Sequence, residues 1–464
     1  MDLSGDRLIS ELYIFFGLCV LFLLGNLVIR LSNKDFPQFL FNCAVLSLLA
    51  LFSASMLSSD LATTAMGMLS INPFSLFFVL ILTIAMLLTG ILAYEYAGRY
   101  GDFALMASFS MMGIYLVAFA NSLISIFIGL ELMVIPTVFI VLLSRRSLEA
   151  AAKLFIMSAI SIGLLSFAIV TIYGASNSFA LVHAQQSDLM LFAAALFVAS
   201  LGFEASIFPF NVLIPDVYEG SPSYATAMLG GINKKVGFIV LMQVLILVFA
   251  TFKSAFLAVA MLSVLTMFYG NIVAIMQRSF KRMLAYSSIS QAGYMLIGIA
   301  AATSAGIAAT MFQIFAHAFI FIGIFAIVAW LESRNRNEIN DLIGLNQESR
   351  LMAAAATLFM LSLIGLPFTT GFVGKFLLFL SAVNANLVWL AIIGVVNSVI
   401  SIYYYARPIM AMYTVKSDAK KIRPEGAIAF VVLACLAITL LFGLYPQPMI
   451  SMATNAANYL FSMA

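Results

Sequence analysis

The sequence predicts an all-α polytopic membrane protein, and three observations carry that prediction. Of its 464 residues, 64% are hydrophobic and only 9% are charged, whereas roughly a quarter of the residues of a soluble domain carry charge. About fourteen apolar segments reach the roughly 20 residues that cross about 30 Å of hydrocarbon. Seventeen of the 22 Lys and Arg fall in alternate connections between those segments.

The segments are expected near 11–31, 38–58, 73–97, 103–120, 123–143, 151–173, 189–212, 223–250, 253–276, 284–303, 305–331, 351–383, 386–413 and 427–447. The first is too long for a signal-peptide core, lacks a small-residue cleavage pattern and follows Asp2 and Asp6, so it reads as a retained helix. Odd-numbered connections hold Arg30, Lys34, Arg99, Arg145, Arg146, Lys153, Arg278, Lys281, Arg282, Arg334, Arg336, Arg350, Arg407, Lys416, Lys420, Lys421 and Arg423. The termini and even-numbered connections hold Arg7 and Lys253. By the positive-inside rule the odd connections face the cytoplasm and both termini lie outside, in the cell membrane.

In the fifth segment Glu131 stands about midway between Asn121 and Arg145, near the bilayer midplane at 1.5 Å per residue. An ionised carboxylate at that depth costs on the order of 3 kcal/mol. Such a residue is by default a functional candidate.

The seventh segment runs into Leu201–Pro222, where Glu204 precedes Pro209 and Pro215. Proline has no N–H and its ring strikes the carbonyl four residues back, so Pro209 frees the carbonyl of Ala205 and kinks the helix. Freed backbone groups at membrane depth survive only against protein or water. Glu204 reads either as a relay group or as a protonated carboxyl bonded to the kink.

In the eighth segment Lys234 and Lys235 follow a small-residue run that allows close helix packing. About eleven residues separate them from Pro222, too deep for both to snorkel. Adjacent residues point about 100° apart, so at most one of them shares a given partner. Two carboxylates facing one polar cavity cannot both ionise cheaply. The favoured arrangement therefore sets Lys234 or Lys235 between Glu131 and Glu204.

His317 in the eleventh segment can pass protons near neutral pH or simply be a satisfied core histidine. His183 and Asp188 fall in an outer loop with no chemistry attached. In the twelfth segment Pro367 frees the carbonyl of Leu363 ahead of Lys375, and Gly371 and Gly374 leave room for backbone approach. This is a second broken helix with a buried charge, five helices after the first. An odd block length turns the second copy over, the layout of inverted-repeat transporters. The expected blocks are 1–102 (three helices), 103–250 (helices four to eight), 251–415 (helices nine to thirteen) and 416–464 (the last helix).

Cys19, Cys43 and Cys435 stand alone, without disulfide or metal-ligand spacing. A net charge of +3 is too small to imply nucleic acid. No nucleotide fingerprint, haem motif or cysteine cluster occurs, so no cofactor is expected in this chain, and any redox step belongs to partner subunits. Moving a carboxylate to or from about 4 Å changes its interaction with a lysine by about 4 kcal/mol at an effective dielectric of 20. Lifting one proton against 100 mV takes about 2.3 kcal/mol, within that swing.

The runs GLELMVIPTVFIVLLSRRSLEAAAKLF, FPFNVLIPDVYEGSP, KRMLAYSSISQAGYMLIG and GLPFTTGFVGKF resemble the antiporter-like membrane subunits of respiratory Complex I, most closely the subunit N (NADH dehydrogenase subunit 2) type. The resemblance covers roughly 122–407. It implies fourteen helices, proton translocation and a place among membrane-arm and peripheral redox subunits of a quinone-reducing complex. It also implies that Glu131 matches the fifth-helix glutamate, Lys234 the eighth-helix lysine and Lys375 the twelfth-helix lysine. The sequence departs from the family at Glu204, where Phe-Lys-Xaa-Ser is usual, and at Gln291, where histidine is common. Two other assignments compete: a subunit of a cation/proton antiporter or membrane-bound hydrogenase, and a chiefly structural membrane-arm subunit.

Overall fold

Helix follows helix because the apolar runs are separated by residues that start or stop them. The computed structural model describes residues 3–31, 34–57, 63–65, 67–144, 147–182, 185–414 and 421–463. The expectations at Met1, Arg145, Arg146, His183, Lys416, Lys420 and Ala464 lie outside the described residues.

Helices α1 (Leu3–Leu31) and α2 (Asp35–Leu57) precede a short antiparallel pair, β1 (Thr63–Ala65) and β2 (Leu69–Ile71). Then come α3 (Pro73–Tyr96), α4 (Tyr100–Ala118), α5 (Leu123–Leu142), α6 (Leu148–Ser176) and α7 (Asp188–Ala205). Asn72 opens α3 with a capping box to Ser75 and proline in the first turn, and Ser122 caps α5 through the Ser125 N–H.

Past α7 lie α8 (Ile214–Gly220) and α9 (Ser223–Met228), a π-helical turn at Leu229–Asn233, and α10 (Lys234–Leu247). They are followed by α11 (Lys253–Ile275), α12 (Phe280–Ala300), α13 (Ser304–Glu332), a 3₁₀ turn and α14 (Leu345–Glu348). The chain ends with α15 (Arg350–Ile364), α16 (Thr370–Asn384), α17 (Val388–Thr414), α18 (Gly426–Leu444) and α19 (Gln447–Ser462).

Twelve stretches among the described residues are long and apolar enough to cross a membrane. The other two expected crossings fall at α12 and at α15–α16. Serines, Lys281 and Arg282 make α12 less apolar. With 15 residues each, α15 and α16 reach only about 22 Å singly. Helix α19 was not expected: Pro446 interrupts the apolar run, and Met449, Ala453, Ala456, Ala457 and Leu460 then recur as one buried stripe.

Two compact units form. The first comprises Met1–Ala205, Ile232–Ala255 and Met452–Ala464. Its α4 and α5 meet at Gly113 and Gly129, where any side chain would strike the facing backbone. Ser161 of α6 and Ser200 of α7 each donate to the other's carbonyl, at 3.0 and 2.8 Å. The second comprises Ser206–Gly231 and Phe256–Ser451, around α13, which is buried from Gly306 to Leu331.

Candidate functional site

The seventh expected helix is broken, as its two prolines predict. Helix α7 stops at Ala205, and Ser206 adopts a left-handed conformation with φ 59°. A run of turns follows through a cis Phe208–Pro209 bond, and Pro215 then sits in the first turn of α8. Glu204 thus lies in the last turn of α7 and is partly exposed. Glu131, on α5, is also partly exposed, and the two carboxylates act on each other electrostatically.

In α5 and α7 the residue ahead of the freed carbonyl is a glutamate. Pro136 lies inside α5, so the carbonyl of Leu132 loses its helical donor just as that of Ala205 does before Pro209. Glu131 stands five residues before Pro136, and Glu204 five before Pro209. The sequence reading passed over Pro136, although the repeated Glu-x₄-Pro spacing was the signal that could have found it.

Helix α10 closes on α7 where Gly237 removes the obstacle. A Cβ at Gly237 would lie 2.8 Å from Ala205 N and 3.1 Å from Glu204 Cβ. Lys234, three residues earlier, occupies nearly the same face of α10, while Lys235 points well away from it. Both lysines are buried, at 3% and 0% exposure. Asn233, which ends the π-helical turn, donates to Thr137 Oγ1 at 2.6 Å. Thr137 donates to the Met133 carbonyl at 2.7 Å, and Ser110 lies 3.3 Å from Thr137. Such turns often mark functional sites in helices, and this one sets the position of the lysines that follow it.

In the second unit Lys375 is 3% exposed. Its Nζ donates to the carbonyls of Leu363 at 2.8 Å and Ile364 at 3.0 Å, and to Ser398 Oγ at 3.3 Å. It also lies 4.3 Å from the centre of the Tyr294 ring. The Leu363 carbonyl is the one that Pro367 leaves without a donor, as the spacing predicts. Gly365, at φ 103°, ends α15, and Phe368, at φ 70°, turns the chain toward α16.

Gln291 Nε2 donates to the same Leu363 carbonyl at 3.2 Å, and Gln313 Nε2 donates to Gln291 Oε1 at 3.1 Å. Ser398 Oγ donates to the Tyr294 hydroxyl at 3.3 Å. Gln313 and Ser398 were not singled out from sequence. A polar residue inside an apolar segment was their signal, but which residue meets Lys375 is set by tertiary packing. His317 is buried on α13, stacked on Phe321 with ring centres 5.4 Å apart.

At one end of this unit Lys281, assigned by sequence to a connection, is buried at 4% exposure. It donates to Ser221 O at 2.7 Å and pairs with Glu332 at 3.0 Å. Arg282 pairs with Asp216 at 2.7 Å and Glu219 at 2.8 Å. These bonds fasten α8 and the start of α9 to α12 and α13.

Residues 120–401 match a family model described as NADH:quinone oxidoreductase/Mrp antiporter, membrane part. An NADH-quinone oxidoreductase subunit N of Desulforamulus reducens is 32% identical, the match covering 99% of each chain. An F(420)H(2) dehydrogenase subunit N of Methanosarcina mazei is 34% identical over 84% of this chain and 85% of its own. A chain of respiratory complex I from Thermus thermophilus superimposes with a TM-score of 0.82 at 26% identity, covering 94% of this chain and 98% of that one.

Proposed function

The chain belongs to the NADH:quinone oxidoreductase/Mrp antiporter family of membrane proteins, and on that premise we propose that it is a proton-translocating membrane-arm subunit of a quinone-reducing, Complex I-type dehydrogenase. The observation that carries this reading is the pair of broken helices, each with an ionisable residue at the break: Glu204 at the end of α7 and Lys375 against the end of α15. Buried ionisable groups beside unwound backbone are how membrane proteins build ion and proton paths.

Protons are passed among Glu131, Glu204, Lys234, Lys235 and Lys375, with His317 as a further relay group. Of the two lysines, Lys234 is the one we assign to answer Glu204, because Gly237, three residues on, lies against Glu204 and Ala205 and Lys234 falls on nearly the same face of α10. In this reading 103–250 and 251–415 are inverted copies, flanked by 1–102 and 416–464. No cofactor is held in this chain, and electrons stay in the partner subunits. The chain sits in the cell membrane with both termini outside.

The outward side of α5 supports the presence of neighbours. Ile128, Ile135 and Phe139 are 51, 49 and 52% exposed, and Glu131 lies in the same stripe. A carboxylate facing hydrocarbon is costly, so a neighbouring membrane subunit covers this stripe. Purification in mild detergent tests the assignment. Co-purifying iron-sulfur and quinone-reducing subunits are expected, whereas a preparation holding only antiporter subunits, with cation-driven proton exchange, would favour the antiporter alternative.

A further inference from the structure

The groups that hold the Lys375 ammonium are all neutral. Two are the carbonyl oxygens of Leu363 and Ile364, one is Ser398 Oγ and one is the face of Tyr294. Among the described residues no carboxylate forms an ion pair with this lysine. Both carbonyls belong to the last turn of α15, where the helix dipole concentrates partial negative charge. Unwound carbonyls and the C-terminal ends of half-helices are the groups with which membrane proteins hold monovalent cations, and a ring face adds cation–π attraction.

This inference rests on the reading of Lys375 as a proton-carrying group. We propose that the break between α15 and α16 is a binding site for an ammonium-type monovalent cation, which Lys375 fills from its own chain. The site is built independently of the lysine. Gln313 holds Gln291, and Gln291 holds the Leu363 carbonyl, so the oxygen stays in place whether or not Lys375 donates to it. Gly365, whose φ of 103° suits only glycine, ends α15 beside the Lys375 stem. The cage thus supplies the charged lysine with dipoles that need no partner ion to arrive or leave.

The test uses the assembled complex in proteoliposomes. Lys375→Gly and Lys375→Ala remove the tethered cation and leave the cage, while Lys375→Met keeps a stem in it. The readout is the rate at which electron transfer builds a membrane potential, in ammonium chloride or in choline chloride at equal concentration. A potential is the right readout because ammonia equilibrates a pH gradient. Ammonium is expected to raise the rate of the Gly and Ala variants roughly tenfold over choline, the scale of one hydrogen bond to a charged group. The Met variant is expected to show no gain.

Equal rates of the small variants in the two salts, or an equal gain in the Met variant, would overturn the cation site. So would failure of both small variants to assemble in ammonium while the Met variant assembles. Wild-type proton stoichiometry of Lys375→Gly in choline would instead overturn the functional reading itself.

Discussion

The Lys375 ammonium lies 2.8 Å from the carbonyl oxygen of Leu363, the group that Pro367 has no N–H to engage. A missing donor in one helix is thereby supplied by a charged side chain from the next. The same carbonyl also receives Gln291, so the break is satisfied twice, and its geometry does not depend on the protonation of the lysine.

Gln291→Leu is therefore expected to destabilise the protein by about 1–3 kcal/mol, because Gln313 loses its acceptor in a buried setting. A lower thermal midpoint in detergent checks this. Gln291→His, which keeps a donor, should lose less.

Gly237→Leu is expected to push α7 and α10 apart, since even a Cβ would come within 2.8 Å of Ala205 N. Overpacking of this kind costs about 1–3 kcal/mol. Proton transport should fall with it, because Glu204 and Lys234 separate. A variant with normal thermal midpoint and normal pumping would contradict the close packing.

Glu204→Gln is expected to lower protons moved per electron pair without preventing assembly. Lys234→Met should impair pumping more than Lys235→Met, because only Lys234 shares the face of α10 that meets Glu204. The double change should be worse than either. Equal effects of the two single lysine changes would remove the geometric distinction between them.

The expected topology rests on the distribution of basic residues. Lys281 is buried, so exposed Arg278 is the better reporter of the same connection. Arg278→Cys should react with an impermeant thiol reagent from the cytoplasmic side and Met463→Cys from the outside. Labelling of both from one side would break the expected alternation.

Local rules made one half of the site legible. Pro367 and Leu363 are related by the fixed reach of a helical hydrogen bond, so the freed carbonyl and the nearby Lys375 could be named from spacing alone. The same rule located the break at Pro209, but not how far it extends. The left-handed Ser206 and the turns after it make a full break, because a second proline six residues on prevents the helix from resuming until Ile214. Gln313, Ser398 and the approach of Gly237 to Ala205 and Glu204 were not legible as contacts. Each depends on which helices meet, and one sequence does not state that. The membrane class and most helix positions were plain from hydropathy, whereas α19 was hidden because Pro446 and its polar residues resemble a loop.

The central claim is that the buried lysine at the second break carries protons, and Lys375→Met tests it most directly. Methionine retains much of the stem's packing, so the complex should assemble and still transfer electrons. Protons translocated per electron pair, measured in sealed vesicles, should fall below the wild-type value. An unchanged ratio would make Lys375 structural and contradict the account.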